Sequence, residues 1–347
     1  AISRRARILV MDEPTARLSG TEREKLFETV RDLAGAGVGV VYISHFLEEI
    51  FEVADRVTVL RDGNVVAVEP TSALDLPRLA QLLVGRDMGT AEGREPTVQA
   101  ATGAGLRGLT VPGRAGPVDL EVREGEIVGL AGLVGSGRTS LARAMVGMER
   151  SATGSVVVGS WSGLPAHPGE AAERGILLLA EDRKRQGLVL QRTVGENVAL
   201  TALRSSLTHR GFVRLRERAR VVGELIERLR LVPARADVPA SSLSGGNQQK
   251  VVFARAMAAG ARVLILDQPT AGVDIGAKEE LYAQIDRLAR EGVSIILISD
   301  DLDEVLRLSD RIVVMRRGRA AEPVPASSID RAELLEAISD TSAVAAA

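Results

Sequence analysis

The strongest constraint on the fold of this chain is an internal repeat at a constant offset of 255 residues. Asp12, for example, recurs as Asp267. An ungapped comparison of residues 6–64 with residues 261–319 gives 22 identities in 59 positions. Chance similarity is a poor explanation for that density, and a duplicated structural unit is a good one.

The repeat and the segment between its copies predict the domain boundaries. The first copy lies within residues 1–84 and the second within residues 106–340, followed by a tail over 341–347. Residues 85–105 are rich in small and polar residues and show neither a helical nor an alternating apolar pattern, which predicts a linker. Most of the second copy has its counterpart before residue 1, and the chain opens on Ala1 rather than on methionine. We therefore expect the first copy to be the C-terminal part of a longer domain.

Short apolar runs alternate with amphipathic segments along both copies. This order predicts an α/β architecture with a largely parallel sheet. The predicted strands are 8–11, 38–43, 127–131, 176–180, 263–266 and 294–298, and the predicted helices lie near 21–35, 138–147, 214–230, 247–259 and 277–290.

Composition excludes several classes of function. The formal net charge of −2 offers no electrostatic footprint for nucleic acid, so no nucleic-acid partner is expected. The chain has no cysteine, which excludes disulfides and thiolate metal sites. No apolar run approaches the ~18 residues needed to cross a bilayer, so we expect any work at a membrane to be done through partners.

A glycine-rich loop is the first candidate binding site. "GLVGSGRT", residues 132–139, follows the apolar run "IVGLA" and matches the phosphate-binding pattern G-x-x-x-x-G-K-[ST] except at Arg138. Glycines let a backbone wrap around phosphates, and a helix N-terminus supplies N–H groups. Taken alone, the loop is equally consistent with an ordinary strand-to-helix turn. The candidate phosphate-binding residues are Gly132, Gly135, Ser136, Gly137, Arg138, Thr139 and Ser140.

A second motif shows a resemblance to a known protein family. "LSGGNQQK", residues 243–250, precedes the strand that ends in "LDQPT" and resembles the signature of ATP-binding cassette (ABC) proteins. The resemblance implies a P-loop NTPase fold of the ABC ATPase type, with tandem nucleotide-binding domains of which the first is incomplete. It also implies that the signature meets the γ-phosphate of a nucleotide held by the other domain; a helix cap with flexible glycines is the plainer alternative. The signature candidates are Ser244, Gly245, Gly246 and Gln248.

The resemblance assigns further roles at the strand ends. Asp12 and Asp267, together with Thr139, are the expected Mg²⁺ ligands. Glu13 stands where the family's glutamate polarises the attacking water, and the second copy has Gln268 there, which cannot accept a proton.

Two more positions differ from the family pattern. His45 matches the family's switch histidine, which senses the γ-phosphate, whereas its repeat partner is Asp300, whose charge would repel a polyphosphate. Glu181 occupies the place of a glutamine that links the nucleotide to the membrane subunit.

The motifs together resemble the ATP-binding subunits of bacterial ribose, galactose and xylose importers. The resemblance implies ATP and Mg²⁺ as cofactors, integral-membrane permease subunits as partners, a periplasmic or extracellular solute-binding protein as an indirect partner, and a location at the cytoplasmic face of the cell membrane. In that family two domains close around ATP at two composite sites. Glu13 and His45 belong to one site with Ser244, and every departure falls in the other. We therefore expect one hydrolytic site and one degenerate, mainly structural site.

Two alternatives remain open from the sequence, and a third is disfavoured. An importer of nucleosides or other small polar solutes would have the same motifs, because the binding protein and permease select the solute. A non-hydrolysing regulatory module would explain Arg138 and Gln268 but not Glu13 and His45. A tandem ABC factor acting on ribosomes would need a long charged helical linker, which residues 85–105 do not resemble.

Overall fold

A computed structural model describes residues 6–12, 14–15, 20–44, 47–61, 64–75, 78–79, 82, 101–204, 207–273 and 275–339. The chain divides into two compact units, residues 1–91 with 274–277 and residues 92–273 with 278–347. None of the described helices is both long and apolar enough to cross a bilayer.

The first unit is built from a parallel strand pair, two helices and a hairpin. In chain order its elements are β1 (Ile8–Asp12), α1 (Gly20–Gly35), β2 (Gly39–Ile43), α2 (Leu47–Val53), β3 (Arg56–Arg61) and β4 (Asn64–Pro70). β1 pairs with β2 in parallel, and β3 pairs with β4 antiparallel. Phe27 and Val30, one helical turn apart on α1, are both buried, which is the spacing of an apolar helix face.

The second unit begins with an antiparallel sheet that the sequence patterns did not predict. Its strands are β5 (Thr102–Val111), β6 (Ala115–Arg123), β8 (Thr153–Val158) and β9 (Trp161–Gly163), in the order β6-β5-β8-β9. β5 begins inside the stretch predicted as a linker up to residue 105, so the linker prediction extends too far. Ala104 is fully buried there, and this small residue signals neither strand nor core by itself.

The central sheet of the second unit is mostly parallel, as predicted. Its strands include β7 (Ile127–Ala131), β10 (Ile176–Leu179), β13 (Val263–Asp267), β14 (Ser294–Ile298) and β15 (Arg311–Arg316). They are ordered β10-β13-β14-β7-β15, and every neighbouring pair is parallel. The short strands β16 (Arg319–Ala320) and β17 (Val324–Pro325) pair antiparallel with β15. β7, β13 and β14 are buried along their whole length, which explains why they read as continuous apolar runs.

Helices complete the second unit, and one of them, at Ile275–Arg290, has its first three residues in the first unit. They are α3 (Arg138–Met145), α4 (Pro168–Glu173), α5 (Val194–Ala199), α6 (Leu215–Arg228), α7 (Gly245–Ala258), α8 (Ile275–Arg290), α9 (Leu302–Leu308) and α10 (Arg331–Ser339), with a small hairpin of β11 (Thr208–His209) and β12 (Phe212–Val213) between α5 and α6. The predicted helices agree with α1, α3, α6, α7 and α8 to within about two residues at each end. The main core lies where the two sheets and α3 meet, and Leu106, Leu130, Leu141, Met145 and Ile265 are among its fully buried side chains.

The repeat in the sequence is also a repeat in the backbone. β1 and β2 pair with Ile8 opposite Gly39, and β13 and β14 pair with Val263 opposite Ser294, which is the same register 255 residues later. The helices and strands that follow recur at the same offset, since α1, α2 and β3 correspond residue for residue to α8, α9 and β15.

Candidate functional site

The candidate site of the second unit lies at the carboxyl edge of the parallel sheet. The segments that follow β7, β13, β14 and β10 bring residues 134–140, Gln268, Asp300 and Glu181 to one cavity of about 870 Å³, which the predicted site residue Gly132 does not line. Ligand sites of open α/β sheets lie at this edge, where neighbouring loops converge. The cavity is large enough for a nucleotide.

The glycine-rich loop has the geometry of a phosphate cradle. Gly137 caps α3 with a φ of 102°, and a Cβ on it would lie 2.5 Å from the carbonyl oxygen of Arg114. A Cβ on Gly132 would lie 2.3 Å from the carbonyl oxygen of Met315. Ser136 Oγ is buried and has no hydrogen-bond partner in the protein. Because a buried hydroxyl without a partner is costly, this orphaned group fits an oxygen-rich ligand in the loop.

Arg138 does not point freely into the cradle. Its side chain is only 6% exposed, its Nη1 donates to the carbonyl oxygen of Ser299 at 3.0 Å, and its Nη2 lies 2.6 Å from Asp300 Oδ1. Asp300 is in turn held by its backbone N–H, which donates to Gln268 Oε1 at 3.2 Å. The sequence predicted that Asp300 would repel a polyphosphate, and the structure shows that this charge is paired with Arg138.

The predicted metal ligands of the second unit lie together. Thr139 Oγ1 donates to Asp267 Oδ1 at 3.4 Å. Burial raises the pKa of the Asp267 carboxyl, and the nearby negative charge of Glu181 acts in the same direction. Within the described residues, no group of three or more His, Cys, Asp or Glu is placed to hold a metal ion. A threonine hydroxyl and a carboxylate are oxygen donors of the kind that hold Mg²⁺ together with phosphate oxygens and water.

Comparisons with known proteins decide the family. A model of the ABC transporter family matches residues 115–271. Ribose import ATP-binding protein RbsA 2 of Rubrobacter xylanophilus is 48% identical to this chain over 92% of it and 61% of the relative. Ribose import ATP-binding protein RbsA of Geobacillus kaustophilus is 39% identical over 97% of this chain and 68% of the relative. The chain belongs to the ABC transporter family.

The structural comparison agrees on the fold. The crystal structure of an ATP-binding cassette of an ABC transporter in its ADP conformation matches with a TM-score of 0.56 at 21% identity, covering 70% of this chain and 96% of that one. The expected P-loop NTPase fold of the ABC ATPase type is thereby confirmed. The chain spans less than two thirds of the length of the Rubrobacter relative.

The ABC signature lies on a different surface from the cavity. Ser244 caps α7 and accepts a hydrogen bond from the backbone N–H of Asn247 at 3.4 Å. Neither Ser244 nor Gly245 and Gly246 lines the cavity described above. Gln248 is 5% exposed, and its Nε2 donates to the carbonyl oxygen of Ala240 at 3.2 Å. This placement favours a role for Gln248 in holding the start of α7, in contrast to the nucleotide contact expected from the signature.

Of the site residues predicted in the first unit, only Asp12 lies within the described residues. Asp12 ends β1 and is exposed. The predicted catalytic pair, Glu13 and His45, lies outside the described residues.

Sequence reasoning did not single out Arg183, which lies close to the signature. Arg183 lies in a five-residue π-helical turn, Arg183–Gly187, that follows Glu181. It donates from Nη1 to the carbonyl oxygen of Ala271 at 2.7 Å and from Nη2 to that of Gly272 at 3.1 Å. A Cβ on Gly245 would lie 2.8 Å from Arg183 Nη2. Arg183 thus joins the segment after Glu181 to the segment after Gln268 beside the signature; π-helical turns often mark functional sites, but nothing local in the sequence shows one.

A buried carboxylate behind the site was also missed, although the repeat could have identified it. Glu304 is 1% exposed and accepts hydrogen bonds from Ser299 Oγ at 2.5 Å and Thr270 Oγ1 at 3.2 Å. Burial raises its pKa to about 7. Its counterpart Glu49 is likewise buried and accepts from the equivalent Thr15 and from Ser44.

Proposed function

We propose that this chain is the ATP-binding and ATP-hydrolysing subunit, or a large part of it, of an ABC importer for ribose or a related sugar. The observation that carries the proposal is the 48% identity over 92% of the chain to a protein named as a ribose import ATP-binding protein. The phosphate cradle over residues 132–140 and the paired oxygens of Thr139 and Asp267 support the ATP and Mg²⁺ that this function needs.

We further propose that the first unit belongs to a second ABC ATPase domain, so that the active protein has two fused domains. In the first unit, Ile8, Val10, Val41 and Ile43 are between 47% and 69% exposed on one face of β1 and β2. Their counterparts in the second unit, Val263, Ile265, Ile296 and Ile298, are at most 1% exposed inside the main core. The exposed apolar face of the first unit is what a domain of the same kind would cover with its own glycine-rich loop, first helix and antiparallel sheet.

In this proposal the two nucleotide sites differ in function. One site combines Asp12, Glu13 and His45 with the signature that begins at Ser244. The other contains Arg138, Gln268 and Asp300. ATP supplies the bond that is hydrolysed and Mg²⁺ offsets phosphate charge when bound, while Glu13 orients and deprotonates the attacking water. Gln268 cannot take that proton, so the second site holds nucleotide without hydrolysing it.

The partners follow from the function. Integral-membrane permease subunits would receive the closing motion of the two domains at the cytoplasmic face of the membrane, and a periplasmic or extracellular solute-binding protein would deliver the sugar. Arg183 lies next to Gly245 of the signature and donates a hydrogen bond to the segment after Gln268, which supports a link between these two segments.

The test compares Glu13→Gln with Gln268→Glu in the longer protein reconstituted with its permeases in vesicles. We expect Glu13→Gln to lower ATP hydrolysis and ribose uptake by about 10²- to 10⁴-fold, because it removes the general base. Gln268→Glu should change either rate by less than about threefold, since Arg138 and Asp300 still depart from the family pattern. Near-normal hydrolysis by Glu13→Gln would refute the division of labour. Uptake of labelled nucleoside in place of labelled ribose would refute the choice of substrate.

A further inference from the structure

Three departures from the ABC pattern in the second site form a single hydrogen-bonded group. Arg138 is the first residue of α3, Gln268 directly follows β13, and Asp300 lies two residues after β14. Asp300 is held on two sides, by the Arg138 guanidinium at its carboxylate and by Gln268 at its backbone N–H. We call these three residues the Arg138 cluster.

Within the Arg138 cluster, the positive charge of Arg138 is paired with Asp300 and is not free to bind a phosphate. Both terminal nitrogens of Arg138 are engaged inside the protein, one by the Asp300 carboxylate and one by the carbonyl oxygen of Ser299. The guanidinium is almost fully buried, whereas the Asp300 side chain is 53% exposed and lines the cavity. A ligand entering the cavity therefore meets a carboxylate where the loop motif normally offers a free cation.

The remainder of the cradle is intact. The backbone turn at Gly135 and Gly137, the N-terminus of α3 and the unpartnered Ser136 Oγ are all available to oxygen atoms of a ligand. These groups act at short range and hold phosphates near the helix start. They require no contribution from Arg138.

We propose that Asp300 takes the place of a terminal phosphate as the partner of Arg138, so that this site prefers a nucleoside diphosphate to a nucleoside triphosphate. The inference rests on the proposed function, because it assumes that the cavity holds a nucleotide. A third phosphate would add negative charge next to the Asp300 carboxylate. To reach the buried guanidinium of Arg138 it would also have to break the Arg138–Asp300 ion pair, which leaves a carboxylate without its cation.

The size of the preference follows from the exposure of Asp300. Two like charges about 4 Å apart in a water-like dielectric repel enough to change a binding constant by about fivefold. We expect a preference for the diphosphate of at least that factor. If the Arg138–Asp300 ion pair only stabilised the loops, the site would bind both nucleotides with equal affinity.

The experiment measures dissociation constants of the 347-residue chain by isothermal titration calorimetry at fixed Mg²⁺, using ADP and the non-hydrolysable triphosphate AMPPNP. Three proteins are compared: the unaltered chain, Asp300→Asn, and the control Asp303→Asn. Asp303 is 72% exposed, does not line the cavity and pairs with the surface residue Arg331. Its removal changes the net charge by the same amount as Asp300→Asn does.

We expect the unaltered chain and Asp303→Asn to bind ADP at least fivefold more tightly than AMPPNP. In Asp300→Asn the affinity for AMPPNP should rise more than that for ADP, so that the ratio falls below about twofold. Equal affinity for both nucleotides in the unaltered chain, or a ratio that Asp300→Asn leaves unchanged, would overturn this inference alone. Binding of neither nucleotide would overturn the proposed function together with it.

Discussion

At the scale of single residues, each unit has an equivalent buried carboxylate, Glu49 in the first and Glu304 in the second. Each one accepts hydrogen bonds from the segments that follow two neighbouring strands. In the second unit, Glu304 receives hydrogen bonds from Thr270, which follows β13, and from Ser299, which follows β14. Its Oε1 is buried without a partner. A carboxylate in such a place favours its neutral form, because burial penalises the charge.

The pKa of Glu304 predicts a pH dependence of stability. Its ordinary value is 4.5 and burial raises it to about 7, with the charge of Asp301 adding to the rise and Lys278 opposing it. A raised pKa in the folded state means that the contribution to the free energy of unfolding is fully present below pH 4.5 and is lost as the pH approaches 7. The expected loss is about 3 kcal/mol. Urea unfolding at a series of pH values measures it.

Glu304→Gln is the informative variant because it keeps the shape and cannot ionise. We expect its free energy of unfolding to vary less than that of the unaltered chain between pH 4.5 and 7. Glu336→Gln, at an exposed position on α10, serves as the control and should keep the original profile. An identical pH profile in Glu304→Gln and the unaltered chain would show that Glu304 does not carry the effect.

At the scale of elements, the strand-loop-helix unit of β7 and α3 depends on two glycines that differ in one respect. Gly135 and Gly137 both have positive φ, at 84° and 102°. A Cβ on Gly135 would have nothing within 4 Å, whereas a Cβ on Gly137 would lie 2.5 Å from the backbone of Arg114. Position 135 needs glycine only for its positive φ, whereas position 137 also needs glycine because a Cβ would collide with the backbone of Arg114.

This difference can be measured with Gly135→Ala and Gly137→Ala as a matched pair. Both should lose about 1 kcal/mol from backbone strain. Gly137→Ala should lose a further 1–3 kcal/mol, roughly, because the neighbouring backbone must move. Thermal unfolding followed by circular dichroism gives both values. Equal losses of stability in the two variants would mean that the close approach of Arg114 does not constrain the residue at position 137.

At the scale of the whole molecule, the same sequence element stands in two different environments. β13 and β14 are buried within a complete sheet, while the apolar face of β1 and β2 is exposed. Because the register of the two pairs is the same, equivalent side chains can be compared directly. Val10, at 61% exposure, and Ile265, at 0%, are such a pair.

Substituting threonine at each of these two positions measures how much each side chain contributes to the free energy of unfolding. Ile265→Thr should cost about 2–4 kcal/mol, because it leaves a cavity and buries a hydroxyl. Val10→Thr should change the free energy of unfolding by less than about 0.5 kcal/mol. It should also reduce self-association of the 347-residue chain, as measured by light scattering, since it breaks an exposed apolar patch. A large loss of stability in Val10→Thr would contradict the exposure of this face.

Much of the site could be predicted from sequence because its signals are local. Continuous apolar runs predicted β7, β13 and β14, and each is followed within a few residues by a polar side chain that the structure places at the cavity. Since parallel strands end at one edge of a sheet, the positions of Thr139, Asp267, Gln268 and Asp300 near one another followed from those runs. The constant offset predicted the repeated elements.

What only the tertiary structure decided are the contacts between segments that are far apart in the chain. Arg138 and Asp300 are separated by 162 positions, and they meet only because β14 lies between β13 and β7. The burial of Gln248, the links made by Arg183 and the antiparallel sheet formed by β5, β6, β8 and β9 likewise depend on which elements become neighbours. Periodicity reports how a segment faces its surroundings, and it carries no information about which distant side chain completes a charge or a hydrogen bond. The sequence by itself therefore determined the repeat, the strands of the parallel sheet around the cavity and five of the helices, while the packing of the sheet determined that Arg138 serves a carboxylate of its own chain.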